Sequence, residues 1–279
     1  MGQPDAKSGE GGSKGDSMGV TELTSGRPAV VFGFGHSHLS AMQFAYAEWA
    51  NARADAPKFH FAQLLAPPYG LGGTPAEMGE RFGIRLREEL ERFGGESLVF
   101  TSFAGNEHHQ YSLVRDARPF DFVLPERPEL PLTPGVEIVP YRAVAAQLER
   151  HCMHAMITLV EISRRLARPL VSLSAPPPIP DNDHVAKADN MFREVMAQRG
   201  PSPPALRLKF WLLQSLTYER LCQRAGIRFI WPPQAAVDEQ GYLLQEHWHP
   251  DGVHALPSYG AHVLDQLLAY ARSAEKAEV

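Results

Sequence analysis

Ser37 lies in a segment whose residue types could support nucleophilic chemistry. The segment reads Gly35-His36-Ser37-His38 and follows an apolar run that is typical of a buried strand. A serine hydroxyl becomes a good nucleophile when a neighbouring base accepts its proton, and N–H groups at a helix N-terminus can stabilise an oxyanion. Because serine is also a favoured helix N-cap, the segment alone leaves both roles open.

Two further segments contain residues that could complete such a site. Asn106 follows Gly105, and an asparagine amide can donate a hydrogen bond to an oxyanion where glycine lets the backbone come close. Asp251 and His254 form an Asp-x-x-His pair, in which the carboxylate can fix the imidazole tautomer. Each segment alone is also typical of an ordinary turn.

The pattern of predicted elements indicates how these segments come together. Apolar runs predict strands over residues 29–34, 59–65, 98–103, 169–173 and 227–231, and apolar spacings of three and four predict helices over residues 38–54, 75–93, 144–166, 206–216 and 260–273. This alternation predicts an α/β fold, a three-layer α/β/α structure with a five-stranded, mainly parallel sheet. Ligands bind at the carboxyl ends of such strands, where all three segments fall.

Taken in chain order, Ser37, Asn106 and the Asp251/His254 pair resemble the SGNH (GDSL-type) hydrolase family over roughly residues 28–275. The resemblance implies an SGNH hydrolase-like, flavodoxin-like domain. It also implies that Ser37 is the nucleophile, His254 the general base and Asp251 the residue that orients it. Oxyanion-hole donors would be the Ser37 N–H, the Asn106 side chain and a glycine of residues 70–73, of which we favour Gly72.

The sequence departs from the family's pattern around Ser37 and Asn106. Histidines flank the serine where the family has Asp and Leu, and a glutamate follows the asparagine where Asp is usual. These three residues and the adjacent histidine at 108 are candidate substrate-pocket residues: His36, His38, Glu107 and His108.

Gly15-Asp16-Ser17-Met18 matches the family's name motif more closely than residues 35–38 do. However, neither a strand nor a helix is predicted beside Ser17, and a nucleophile needs a fixed geometry. We therefore interpret Ser37 as the nucleophile.

The remaining composition limits the domain organisation and the partners. Residues 1–27 lack aromatic side chains and predict a disordered tail without the apolar stretch of a secretory signal, so we expect a cytoplasmic protein. Residues 28–275 form one predicted domain. A proline-rich insertion at about 110–140 is predicted to wall the acyl site.

A net charge of −5 argues against nucleic-acid or anionic-membrane binding, and no apolar run is long enough to span a bilayer. We expect no metal and no other cofactor, although several of the 12 histidines form pairs. The pairs are His36/His38, His108/His109, His151/His154 and His247/His249.

These features predict a serine esterase that hydrolyses a carboxylic ester, or removes an O-acyl group, from a small molecule or glycan. Three alternatives stay open. The same triad would support an O-acyltransferase, the altered segments fit a non-catalytic SGNH-like binding domain, and the histidine pairs allow a metal-dependent phosphoesterase. The oligomeric state is not determined by the sequence.

Overall fold

The computed structural model describes residues 30–65, 69, 72–93, 97–103 and 105–277, so the predicted tail at 1–27 lies outside the described residues. The strands are β1 (Val30–Gly35), β2 (Lys58–Gln63), β3 (Ser97–Ser102), β4 (Phe120–Asp121), β5 (Glu137–Ile138), β6 (Leu170–Leu173) and β7 (Arg228–Ile230). The helices are α1 (Leu39–Asn51), α2 (Pro75–Phe93), α3 (His109–Ser112), α4 (Tyr141–Leu166), α5 (Asn182–Lys187), α6 (Arg193–Arg199), α7 (Pro204–Arg224) and α8 (Pro257–Ala277).

Five of these strands form one parallel sheet in the order β2-β1-β3-β6-β7. This is the flavodoxin-like order, in which the chain starts near the middle and builds outward in both directions. The predicted fold class, three layers around a five-stranded mainly parallel sheet, is confirmed.

Helices cover both faces of the sheet because successive strand residues point in opposite directions. Phe32 of β1 packs into the core beneath α2, α4 and α7, whereas its neighbour Val31 packs into the core beneath α1 and α8. Val99 and Phe100 of β3 divide in the same way. Each central strand is therefore apolar on both faces, which explains why it reads as a continuous apolar run.

The helix boundaries show where local signals were informative. At the start of α2, the Glu77 carboxylate accepts the Thr74 N–H at 2.8 Å, and Thr74 Oγ1 accepts the Glu77 N–H at 3.3 Å, forming a capping box. Helix α8 begins at Pro257, earlier than the predicted start at residue 260. Helices α5 and α6 were not expected, because helices of six and seven residues are too short to show a helical apolar period.

A buried ion pair connects the segment at 110–140 to α7; regular structure within this segment is limited to α3 and the two short strands β4 and β5. Lys209 of α7 donates to Asp121 at 2.8 Å, and both side chains are 1% exposed or less. The same carboxylate accepts the N–H groups of Phe122 and Thr133. Beyond α3, this segment therefore packs against α7, and it lines a cleft of about 270 Å³ there.

Both cysteines lie in the core. Cys152 of α4 has no exposed surface, and Cys222 of α7 is equally buried. Burial raises the pKa of both thiols, that of Cys222 to about 11. Neither thiol has the exposed, thiolate-favouring surroundings of a reactive cysteine. In the described part of the chain, no helix is long and apolar enough to cross a membrane.

Candidate active site

Ser37 is placed by the tight turn between β1 and α1. A Cβ atom added to Gly35 at the end of β1 would lie 2.3 Å from Ser102 Oγ, so only glycine lets β1 and β3 approach this closely. The N-cap of α1 is His38, and it makes no side-chain capping hydrogen bond. Ser37 Oγ lies instead 2.7 Å from His254 Nε2. The hydroxyl therefore interacts with an imidazole and does not cap the helix.

His254 links Ser37 to Asp251. The Nδ1–H of His254 donates to Asp251 Oδ2 at 2.7 Å, which leaves the Nε2 lone pair to accept the Ser37 hydroxyl. Asp251 Oδ1 accepts the backbone N–H groups of Val253 and His254, each at 3.0 Å. The loop before α8 therefore holds the carboxylate and imidazole in one fixed arrangement.

The hydrogen bonds to Asp251 determine its charge. Burial alone would raise its pKa, but the bonds from the His254 side chain and from two backbone N–H groups lower the pKa below its ordinary value. The carboxylate is thus ionised at neutral pH and can stabilise a protonated His254. His249, which is not among the predicted site residues, places its Nδ1 3.0 Å from the same Oδ2.

Asn106 lies in a loop that follows β3. A residue of α7 forms hydrogen bonds with the backbone of this loop both before and after Asn106. Gln214, which is 1% exposed, donates from Nε2 to the Gly105 carbonyl at 2.7 Å and accepts the His108 N–H at 2.7 Å. Gly105 has a φ of +107°, and an added Cβ would lie 2.9 Å from Ala175 Cβ. The loop therefore requires glycine here, as the Asn-Gly neighbourhood in the sequence suggests.

His38 connects the Asn106 loop to the Ser37 turn. Its Nε2 lies 2.7 Å from Asn106 Oδ1, and its ring lies 5.0 Å from the ring of His254. Burial, followed by the charge of a protonated His254, lowers the pKa of His38 to about 3. His38 is therefore a neutral imidazole between two predicted site residues.

The other three predicted pocket residues lie in different surroundings. His36 packs its ring 4.4 Å from that of Phe103, and burial lowers its pKa to about 4. His108 borders a small pocket beside His254, and burial also lowers its pKa to about 4. Glu107 is held by Gly105 N–H at 3.0 Å and Tyr218 OH at 2.9 Å, in contacts with its own loop and with α7. Burial is the largest influence on Glu107, and it raises the pKa.

Gly72 has no hydrogen bond to Ser37, Asn106 or His254 within the described residues. It is exposed, and its carbonyl accepts a short hydrogen bond from Arg81 of α2. Of the other two candidate glycines, Gly70 lies outside the described residues, and Gly73 is exposed with a φ of +97°. Which glycine donates to an oxyanion stays a prediction.

His109 borders the pocket beside His254, together with Leu113 of the predicted insertion, although it is not among the predicted pocket residues. Burial, followed by the charges of neighbouring histidines, holds its pKa well below the ordinary value. Its position next to His108 after the Asn106 loop is the sequence signal that could have identified it. Gln214 has no such signal, because it lies on a helix far along the chain.

The histidine pairs do not form a three-residue cluster with cysteines or carboxylates that could hold a metal ion, as far as the structure describes the chain. Their members have separate partners. His151 lies 2.9 Å from the Tyr111 hydroxyl, and His247 lies 2.8 Å from the Ser258 hydroxyl. His184 donates to the His249 carbonyl at 3.0 Å.

The fold and site define a class of protein: a flavodoxin-like α/β/α domain with a serine–histidine–aspartate hydrogen-bond chain at the carboxyl end of its sheet. No family model matches the chain, and no curated protein matches it. A GDSL-like lipase from Bacteroides thetaiotaomicron is similar in structure, with 14% identity, 90% of this chain and 89% of that chain covered, and a TM-score of 0.44. The periplasmic domain of a lipopolysaccharide acetyltransferase from Salmonella ser. Paratyphi A has 13% identity, coverages of 87% and 83%, and a TM-score of 0.42.

Proposed function

We propose that this chain is a serine-dependent enzyme that acts on carboxylic esters of small molecules or glycans. The observation that carries the proposal is the pair of 2.7 Å hydrogen bonds from Ser37 Oγ to His254 and from His254 to Asp251. A hydroxyl within reach of an imidazole, whose far nitrogen is held by a carboxylate, is the arrangement that acyl transfer to serine requires.

In the proposed reaction, Ser37 Oγ attacks the ester carbonyl while His254 Nε2 takes its proton. The tetrahedral intermediate collapses, the bond to the alcohol oxygen breaks, and His254 returns the proton to the departing alcohol. Water then attacks the acyl-enzyme, with His254 taking its proton, and the acid leaves as Ser37 regains its hydrogen. Asp251 stays ionised and stabilises the imidazolium in both halves.

The proposed oxyanion donors are the backbone N–H of Ser37, the Nδ2–H of Asn106 and the N–H of Gly72. Within the described residues, neither the Ser37 N–H nor Asn106 Nδ2 has a hydrogen-bond acceptor, so both are available to a substrate oxygen. Ser37 also stands at the N-terminus of α1, where the helix dipole favours negative charge.

Labelling with a fluorophosphonate tests this proposal directly. We expect the wild-type protein to be labelled, Ser37→Ala to lose the label and Ser17→Ala to keep it, because only an activated serine reacts. Ser17 lies outside the described residues and serves as the motif-matched control. A folded wild-type protein that remains unlabelled would favour a binding domain instead, and labelling abolished by EDTA would favour metal-dependent chemistry.

Product analysis separates hydrolysis from acyl transfer. The purified protein is incubated with an activated acetyl ester, with and without added sugars or other alcohols. We expect free acid as the main product in both mixtures. Acylated alcohol as the main product, formed faster than the acid, would identify an acyltransferase using the same three residues.

A further inference from the structure

His38 is the residue that fixes the side chain of Asn106 within the described part of the chain. Gln214 forms hydrogen bonds with the backbone on either side of Asn106, at the Gly105 carbonyl and the His108 N–H. Among the described residues, the Asn106 side-chain amide forms its hydrogen bond with His38, at 2.7 Å between Asn106 Oδ1 and His38 Nε2. We propose that His38 is a positioning residue that directs the Nδ2–H groups of Asn106 toward the substrate oxyanion, an inference that rests on the proposed function.

The chemistry of the pair determines which atom donates. A carbonyl oxygen can only accept, so the bond to Asn106 Oδ1 requires a hydrogen on His38 Nε2. The other ring nitrogen, Nδ1, is buried and has no hydrogen-bond partner among the described residues. Such burial is less unfavourable for a lone pair than for an N–H group. His38 is 7% exposed, and this burial favours the neutral form. Both observations therefore indicate the neutral Nε2–H tautomer.

This tautomer discriminates between the two orientations of the Asn106 amide. With Oδ1 toward His38, an N–H faces a carbonyl and the Nδ2–H groups point elsewhere. A rotation of the amide by half a turn would set Nδ2–H against the Nε2–H of His38, donor against donor. The histidine thereby keeps the donor side of Asn106 available, and pre-organised donors are what stabilise an oxyanion in the transition state.

His38 can act in this way because it directly follows Ser37. The turn that presents the nucleophile also carries the ring that orients the second oxyanion donor, so one turn positions both groups. Since His38 acts through Asn106, its contribution should disappear when the Asn106 amide is removed. This dependence separates a positioning role from a general effect on folding.

The test is a double-mutant cycle on kcat and KM with the best ester substrate. His38→Leu removes the donor, and His38→Gln restores a donor near the position of Nε2. We expect Asn106→Ala to lower kcat about 100- to 1000-fold and His38→Leu to lower it roughly 10- to 100-fold, with KM changed less than about twofold. His38→Gln should recover most of the loss, and His154→Leu, an exposed histidine on α4, should match the wild type.

The double variant gives the decisive comparison. In the Asn106→Ala background, His38→Leu is expected to cause no further loss of kcat. An equal fold-loss in both backgrounds would overturn the proposal, as would a His38→Gln variant that is as slow as His38→Leu. A wild-type protein that is neither labelled at Ser37 nor able to turn over esters would instead contradict the proposed function. That result is distinguishable from a failure of the His38 proposal alone, in which the wild-type protein is active.

Nitrogen NMR of the wild-type protein provides a measurement that does not depend on how the variants fold. With ¹⁵N-labelled histidine, the His38 ring should appear as the neutral Nε2–H tautomer and should stay neutral down to pH 5. An Nδ1–H tautomer, or protonation near the ordinary histidine pKa, would overturn the proposal even if His38→Leu proved unstable.

Discussion

Asp251 uses its two carboxylate oxygens for different tasks. Oδ1 accepts two backbone N–H groups and shapes the loop, whereas Oδ2 accepts the Nδ1–H of His254. Because the two oxygens have different partners, a substitution at Asp251 can change the tautomer of His254 while it preserves the hydrogen bonds of the loop. An asparagine at this position would keep the oxygen that shapes the loop and replace the other oxygen by an N–H donor.

We predict that Asp251→Asn lowers kcat by about four orders of magnitude, since a related substitution in a serine protease has an effect of that size. The new amide would donate to His254 Nδ1 and force its hydrogen onto Nε2, so the imidazole could not accept the proton of Ser37. Steady-state kinetics measure the loss, while circular dichroism should match the wild type. Near-normal turnover in the folded variant would remove Asp251 from the proposed mechanism.

At the scale of elements, helix α7 supports the site although none of its residues belongs to the hydrogen-bond chain of Ser37. Gln214 fixes the Asn106 loop through one carbonyl and one N–H. Lys209, farther toward the N-terminus of α7, holds the 110–140 segment through Asp121. One helix therefore positions the loop that carries a proposed oxyanion donor and the segment that follows it.

We predict that Gln214→Met decreases the free energy of unfolding by about 1–3 kcal/mol, because two buried backbone groups lose their partners. The substitution keeps the side-chain length, so the change reports on hydrogen bonding. The kcat should fall as well, since Asn106 lies between the two released groups. Urea unfolding and ester turnover measure the two effects. Gln214→Glu keeps an acceptor for the His108 N–H, but only the protonated carboxyl can also donate to the Gly105 carbonyl. This variant should therefore be more stable than Gln214→Met only near or below the pKa of the new carboxyl.

We predict a larger loss of stability for Lys209→Met, about 3–5 kcal/mol, because it leaves the buried Asp121 carboxylate without its cation. The double variant Asp121→Asn/Lys209→Met removes both charges and should be more stable than the sum of the single variants implies. Urea unfolding of the four proteins gives this coupling. Strict additivity would show that the two charges do not interact.

At the scale of the whole molecule, the domain buries several histidines in the neutral state. His36, His38 and His108 all have pKa values lowered to about 3 or 4, and burial is the largest cause in each case. Unfolding releases each ring to an ordinary pKa near 6.5. Between pH 6.5 and about 4, the unfolded chain therefore binds more protons than the folded protein, so the free energy of unfolding must fall as the pH falls.

We predict that each such histidine contributes up to about 1.4 kcal/mol of lost stability per pH unit in this window. His36→Leu should make stability depend less steeply on pH, because it removes one of these titrating rings. The His36 ring makes an aromatic contact with Phe103 but no hydrogen bond within the described residues, so the substitution removes little else. Urea unfolding at pH 7 and pH 5 gives the slope for each protein. His154→Leu, an exposed control, should retain the wild-type slope, and an unchanged slope in His36→Leu would contradict the prediction.

The sequence by itself determined the order along the chain of the five sheet strands and the five long helices, the α/β class, and the segments that carry Ser37, Asn106 and the Asp251/His254 pair. These features follow from local apolar periods and turn residues, and parallel strands bring their carboxyl ends to one edge. Only the tertiary structure decided three contacts: the hydrogen bond between His38 and Asn106, the hydrogen bonds of Gln214 to the Asn106 loop, and the ion pair between Lys209 and Asp121. The two partners in each contact lie between 68 and 109 residues apart in the chain, and no local pattern specifies which distant side chains will meet.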